Sequence, residues 1–181
     1  SDRRMVNWMA LFFLCVNDTP HLLAQLLKAE RSAVDATTTN GWTALMLAAR
    51  DGHQQCALEL LKAGAAVDAV DIKQWTALMF AVEKGHEQCS LELIKAGANV
   101  NATEEDGWTA LMFAAQHGHE QCLLALIKAG AAVDAQNNEG MTALMWAFFR
   151  NHEQCARALI EAKANVNASN QRGSTALTFV C

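Results

Sequence analysis

His53-Gln54-Gln55-Cys56 places an imidazole and a thiol three residues apart, and the pair returns as His86 with Cys89, His119 with Cys122 and His152 with Cys155. Such a pair on a helix is half a zinc site. Zinc takes four protein ligands, or three and a water, and each next pair lies a full repeat away. A cysteine hydrolase would need one distinctive thiol with an activating imidazole and an orienting third group. Four equivalent pairs supply no such distinction. The pairs therefore read as structural, the thiol packing as a small apolar side chain and the imidazole bracing a loop. A metal- or redox-responsive array is the competing reading. The other candidate is Glu104-Glu105-Asp106, which could take a cation or a basic peptide or form a solvated projecting turn. No Gly-rich phosphate loop, nucleophile elbow or metalloprotease helix occurs in the sequence, and it contains no Tyr. No catalytic residue, metal or cofactor is expected.

The element that must position these residues is set by a period. Thr43-Ala44-Leu45-Met46 recurs from Thr76, Thr109 and Thr142, and Thr175-Ala176-Leu177 begins another copy, always at a step of 33 residues. A fixed step of this size signals stacked supersecondary units, each burying its apolar face on its neighbours. Within the second copy, Asn40-Gly41 is a turn signal and Thr43 a helix N-cap. Leu45, Ala48 and Ala49 face inward on a short first helix that Gly52 ends in the left-handed conformation. A second helix starts near His53 with Cys56, Ala57, Leu60 and Leu61 on one face, and Gly64 closes it.

Composition agrees with a buried, intracellular stack. The chain is 52% apolar and carries a net charge of −5, with no Lys/Arg stripe of the kind nucleic acid requires. The longest apolar run, Met9 to Val16, is far short of a membrane span. It follows Arg3-Arg4 as a leader would, but it falls in repeat register, with Phe12 ahead of Leu45 by one period. Equivalent Cys in successive layers should lie ~10 Å apart, too far for a disulfide. Buried reduced thiols are expected, in an intracellular, cytoplasmic setting. Cys15 and Cys181 fall at small-residue packing positions.

Two short helices and a projecting turn, repeated, resemble the ankyrin repeat. The residues that carry the likeness are Gly41, Thr43, Leu45, Ala48-Ala49, Gly52-His53, Leu60-Leu61, Gly64 and Val67-Asp68-Ala69, with their equivalents. The likeness implies an all-α ankyrin-repeat solenoid with β-turn fingers, spanning residues 1–181 as one domain. Residues 1–34 would be a degenerate capping repeat, 35–67, 68–100, 101–133 and 134–166 full repeats, and 167–181 a partial one. Ala44 and Met46 stand where the family has Pro and His, so apolar packing by Met46, Met79, Met112 and Met145 should replace a hydrogen bond between turns. Gln74 in place of the turn Gly implies ~1 kcal/mol of strain. Asn151 suits a left-handed helix end, and Lys163 predicts an irregular end to its repeat. In the first repeat, Thr19-Pro20 would be N-cap and N1, with Leu22, Leu23, Leu26 and Leu27 as the apolar face.

The likeness further implies a non-catalytic scaffold that holds a partner protein or peptide in a concave groove. Trp42, Trp75, Trp108 and Met141 occupy one column at the turn base and form a candidate strip, since aromatic residues dominate binding hot spots. The same rings could instead brace the turns. Positions that vary between repeats are the other candidates: Lys73 and Asp106 at turn tips, and Arg50, Glu83, Lys84, Gln116, His117, Phe149 and Arg150 at the ends of first helices. Phe149, beside Arg150, is the anomaly, a large apolar side chain where other repeats are polar: a hot-spot candidate, or a filler of space opened by Phe148. Asn101 and Asn167 match a turn Asn that hydroxylases modify in ankyrin repeats, although bonding between adjacent turns is the plain role. Leu177, Phe179 and Val180 would lie on an unpaired final helix. The apolar ends invite end-to-end self-association. They also motivate the alternative that the chain is a regulatory or targeting segment of a larger enzyme.

Overall fold

The structure, a computed structural model, describes residues 2–30 and 33–179, with side chains from residue 9 onward. Among these residues it contains ten α-helices and a short 3-10 helix. Strand pairing is limited to isolated antiparallel bridges, Thr37 with Thr43, Val70 with Thr76, Thr103 with Thr109 and Ser169 with Thr175. Each bridge closes one projecting finger. Val180 and Cys181 lie outside the described residues.

The chain divides into two units, Ser1–Ala98 and Asn99–Cys181. The first holds α1 (Asp2–Val16), α2 (Pro20–Ala29), α3 (Ala44–Asp51), α4 (Gln54–Lys62), α5 (Ala77–Glu83) and α6 (Glu87–Lys95). First helices pack on first helices, α1 on α3 and α3 on α5, and second helices do the same, α2 on α4 and α4 on α6. The second unit holds α7 (Ala110–His117), α8 (Glu120–Lys128), α9 (Ala143–Phe149), α10 (Glu153–Glu161) and the 3-10 turn Ala176–Phe179. There α7 packs on α9, α8 on α10, and the 3-10 turn on α9. Among the described residues, no helix is long and apolar enough to cross a membrane.

The inner first helices are largely buried, α3 because α1 and α5 cover it on both sides. In α3 the buried run is Ala44 to Ala49 without interruption. Ala at three of those six positions lets the neighbouring helix approach closely. Each of these helices starts at the expected cap. Thr43, Thr76, Thr109 and Thr142 accept a hydrogen bond from the backbone N–H three residues on, at 3.2 to 3.3 Å, filling one of the four donors a helix start leaves open. At the first of them the Met46 sulfur accepts from Thr43 N–H at 3.4 Å. Methionine thus replaces part of a polar role there, beyond apolar packing, as a weak thioether acceptor.

Several expectations change on inspection of the ends. Thr19 occupies the N-cap position of α2 ahead of Pro20, but its side chain makes no capping bond. Its hydroxyl donates instead to Leu14 carbonyl at 3.1 Å, fastening α1 to the turn. Of the four leucines of α2, Leu23 and Leu27 are buried, Leu26 is half-buried and Leu22 faces solvent at 53% exposure. Lys163 does not disturb its repeat. It adopts φ 67°, and the bonds from Lys163 N–H to Ile160 carbonyl and Ala164 N–H to Leu159 carbonyl are both 3.0 Å. Gly64 and Gly97 make the same pair at the same distances, so the left-handed turn is retained with a side chain in place. Gln74 at φ 63° and Asn151 at φ 60° are likewise left-handed, as their places in the repeat require.

Candidate functional site

The fingers are built by a column of acceptors that differ in type but do one job. Thr38 Oγ1, Asp71 Oδ1, Glu104 Oε1, Asn137 Oδ1 and Asn170 Oδ1 accept from the backbone N–H of Trp42, Trp75, Trp108, Met141 and Ser174, at 2.9 to 3.1 Å. Neighbouring fingers are laced by backbone bonds, from Ile72 to Asn40 in the first unit and from Asn138 to Asp106 and Gln171 to Glu139 in the second. Below them, Asp35 accepts from Ala66 N–H, Asn101 from Ala132 and Asp134 from Asn165, at 2.7 to 2.8 Å. The bonding role expected for the turn Asn therefore holds at Asn101.

This scaffold fixes two aromatic groups, one in each unit. In the first, Trp42 and Trp75 flank Phe80, with centroids 4.5 and 4.9 Å from its ring. The Arg50 guanidinium lies 5.1 Å over Trp42 and is paired with Asp51 at 2.6 Å. That hydrogen-bonded pairing holds the Asp51 carboxyl below its ordinary value and raises Arg50 further. In the second unit, Trp108 stacks on Phe113 at 5.1 Å and meets Trp146 tilted by 33° at 4.6 Å. Trp146 then meets Phe149, and Phe149 meets Phe179, both edge to face.

The three column Trp are half-buried, each braced by a ring and each with surface left over. Met141 differs, being only 6% exposed, so little of it is presented to solvent. Phe149 is 52% exposed, with the Arg150 guanidinium 5.4 Å from its ring centre. Lys73 and Asp106 are exposed at finger tips, and Lys84, His117 and Arg150 are exposed at first-helix ends, while Glu83 and Gln116 are half-buried. Glu83 and Lys84 make an ion pair at 3.4 Å, which at that exposure adds little stability.

A second column was not recognised from sequence: Leu47, Phe80, Phe113, Trp146 and Phe179. Its members stand 33 residues apart, and from Phe80 onward each supplies a ring to the aromatic groups. The period alone could have found it.

The His-x-x-Cys pairs do not converge on a shared point. His53 Nδ1 bonds Cys15 carbonyl at 2.6 Å, His86 Nε2 bonds Arg50 carbonyl at 2.9 Å and His152 Nε2 bonds Gln116 carbonyl at 3.1 Å. Each imidazole ties a second helix to the end of the preceding first helix. Cys15, Cys56, Cys89, Cys122 and Cys155 are buried free thiols. Burial pushes Cys15 and Cys56 up to about 12, helped at Cys56 by its bond to the Asp18 carboxylate at 3.4 Å. Burial likewise pushes Cys89 and Cys155 up to about 11. Thiols held in this way are inert, not nucleophilic. Among the described residues, Glu104, Glu105 and Asp106 are the one acidic group close enough to share an ion. Glu104 Oε1 already accepts from Asp106 and Trp108 N–H, so it serves as a finger brace.

Layered two-helix units with bonded fingers define a helical repeat solenoid. The chain belongs to the ankyrin-repeat family: the family model for ankyrin repeats (three copies) matches residues 11–104 and 91–170. Members of that family are in general protein–protein interaction modules and non-catalytic scaffolds. No curated protein matches the chain.

Proposed function

We propose that this chain binds another protein or peptide through the face made by its fingers and first helices, the concave groove of the family, with no catalytic step of its own. The observation that carries this reading is Phe149. It exposes about half its surface at a position where the earlier repeats have Arg50, Glu83 and Gln116. The equivalent first-helix ends are polar or charged, so a singular exposed aromatic there is best explained by a partner. Trp42, Trp75 and Trp108 extend the apolar strip within their own units, and Lys73, Arg50, Glu83, Lys84, Asp106, Gln116, His117 and Arg150 supply a mixed-charge rim. The buried free thiols support a reducing, intracellular setting.

The test is affinity capture with the wild-type chain and with variants. Replacing Trp75, Trp108 and Phe149 together by Ala should abolish capture. Because Trp75 and Trp108 pack on Phe80 and Phe113, those two changes also cost stability, about 2 kcal/mol each, and melting must be recorded alongside. Phe149→Ala alone separates the effects. It should weaken capture at least about tenfold, as loss of a hot-spot ring does, while stability falls by only about 1 to 2 kcal/mol through loss of its edge-to-face contacts with Trp146 and Phe179. Undiminished capture by both variants refutes the site.

A further inference from the structure

Second helices pack in rows, α2 on α4 on α6 in the first unit and α8 on α10 in the second. Among the described residues α2 is the first of them and α10 the last, so each leaves one flank without such a neighbour. Both flanks expose apolar side chains, where the end of a stack needs a polar surface. On α2 the exposed residue is Leu22. It stands two residues after Pro20, as Cys56 stands two after Gln54. Cys56 is turned towards the layer before its own, with Asp18 Oδ1 3.4 Å from its sulfur, so Leu22 points to the flank where no layer precedes. In the same layer α1 exposes Met9, Phe13 and Val16, whose spacing sets them on one helix face. At the other end, a groove of about 930 Å³ lies between α10, the end of α9 and the 3-10 turn, with Phe148, Phe149, Ala156, Ile160 and Phe179 as its apolar lining. Ile160 is exposed there, whereas Leu61, Ile94 and Ile127 at the same place in inner layers are half-buried. Glu153 and Arg157 on the lining pair with each other at 2.9 Å, which leaves Glu161 as its remaining charge.

Two departures from the repeat match across these flanks. The first is steric. Gly52 and Gly118 leave room for the imidazole that caps the next second helix, since His86 and His152 lie 2.6 Å from where a Cβ would stand. Asn151 takes that place in the last layer and brings a Cβ to it, at φ 60°. A helix led by His cannot follow α10 as α6 follows α4. The N-caps of α4, α6, α8 and α10 are all His, and that of α2 alone is Thr19. The second departure is in charge. Lys62, Lys95 and Lys128 end α4, α6 and α8, but Glu161 ends α10. The helix α2 carries Lys28 and no carboxylate. Lys28 follows Pro20 at the spacing by which Lys62 follows Gln54 and Glu161 follows Glu153, so it would lie abreast of Glu161 if α2 came next in the row. We propose that the two flanks are halves of one contact, in which α2 of one copy of this chain docks on α10 of another and continues its row of second helices. Leu22 enters the groove beside Ile160, Lys28 meets Glu161, and Thr19 passes Asn151 where an imidazole would collide.

The test is sedimentation velocity of the chain at rising concentration, into the submillimolar range. The wild type should grow beyond a dimer, because a head-to-tail contact leaves every assembly a free half at each end. Leu22→Glu and Ile160→Glu, both at exposed positions, should each abolish growth and leave melting of the dilute protein near that of the wild type. Mixed together, the two variants should form one-to-one dimers and nothing larger, since each keeps the half that the other has lost. Glu161→Lys should weaken association about two- to fivefold, as loss of an exposed ion pair does, and Lys28→Glu added to the same chain should restore it. A wild type that stays monomeric overturns the proposal. So does a mixture that stays monomeric or grows past the dimer, which would assign the contact to like faces or to neither. Leu22 and Ile160 lie outside the finger and first-helix face, so capture of a partner should survive both changes, and failure of one reading leaves the other standing.

Discussion

Gly118→Ala should cost the second unit about 3 kcal/mol, whereas Gly130→Ala in the same unit should cost only about 1 to 2 kcal/mol. Both glycines are left-handed, at φ 74° and 88°, so both substitutions meet the same backbone penalty. They differ in what a methyl group would touch. At Gly118 it would stand 2.6 Å from His152 Nδ1 and 2.8 Å from Cε1, while at Gly130 nothing lies within 4 Å. The His152 ring cannot simply swing away, because its Nε2 is bonded to Gln116 carbonyl. The first unit provides a replicate, since a methyl at Gly52 would stand 2.6 Å from His86 and one at Gly64 would meet nothing. Urea unfolding of the four variants measures the differences. Equal losses within each pair would mean that the imidazoles do not lock the layers together.

The second large effect concerns the thiols. In the native protein at pH 8, Cys15, Cys56, Cys89 and Cys155 should react with iodoacetamide about 10² to 10³ times more slowly than in urea, because the thiolate fraction falls tenfold for each unit the pKa rises. Their raised values also link stability to pH. With the folded values at about 11 to 12 and the ordinary thiol value at 9.0, their contribution is fully present below about pH 9. It is lost as pH climbs towards 11 to 12, because the unfolded chain ionises first. A urea midpoint that holds at pH 7 to 8 and drops at pH 10 is the expected result. Cys56→Ala should reduce the drop. Fast native alkylation would place the thiols outside the core.

The fold was legible because each structural job recurs with the same residue type. Thr43 and its equivalents cap helices, Cys56 and its equivalents fill the core, and Gly52 and Gly118 turn the chain. The candidate site was less legible, for two physical reasons. The finger-bracing column uses Thr38, Asp71, Glu104, Asn137 and Asn170, and its only constant is an acceptor atom, so residue type concealed the repeat. Glu104 was consequently read as part of an acidic cluster. The ring column of Phe80, Phe113, Trp146 and Phe179 resembles ordinary core, because apolar identity does not say which face a side chain joins. Met141 shows the converse. It shares a column with three half-exposed Trp, yet a flexible thioether folds inward where an indole cannot. Thr19 is a similar case, its hydroxyl finding a carbonyl behind it before the amide ahead.

The most direct test of the binding face is site-specific photo-crosslinking in a lysate of source cells. A benzophenone side chain is placed at Asp106 or Phe149 on the finger and first-helix face, or at Gln121 or Gln154 on exposed second-helix positions. One partner band from the first two sites and none from the last two is the result expected. The same band from Gln121 and Gln154, with none from Asp106 and Phe149, would contradict the account.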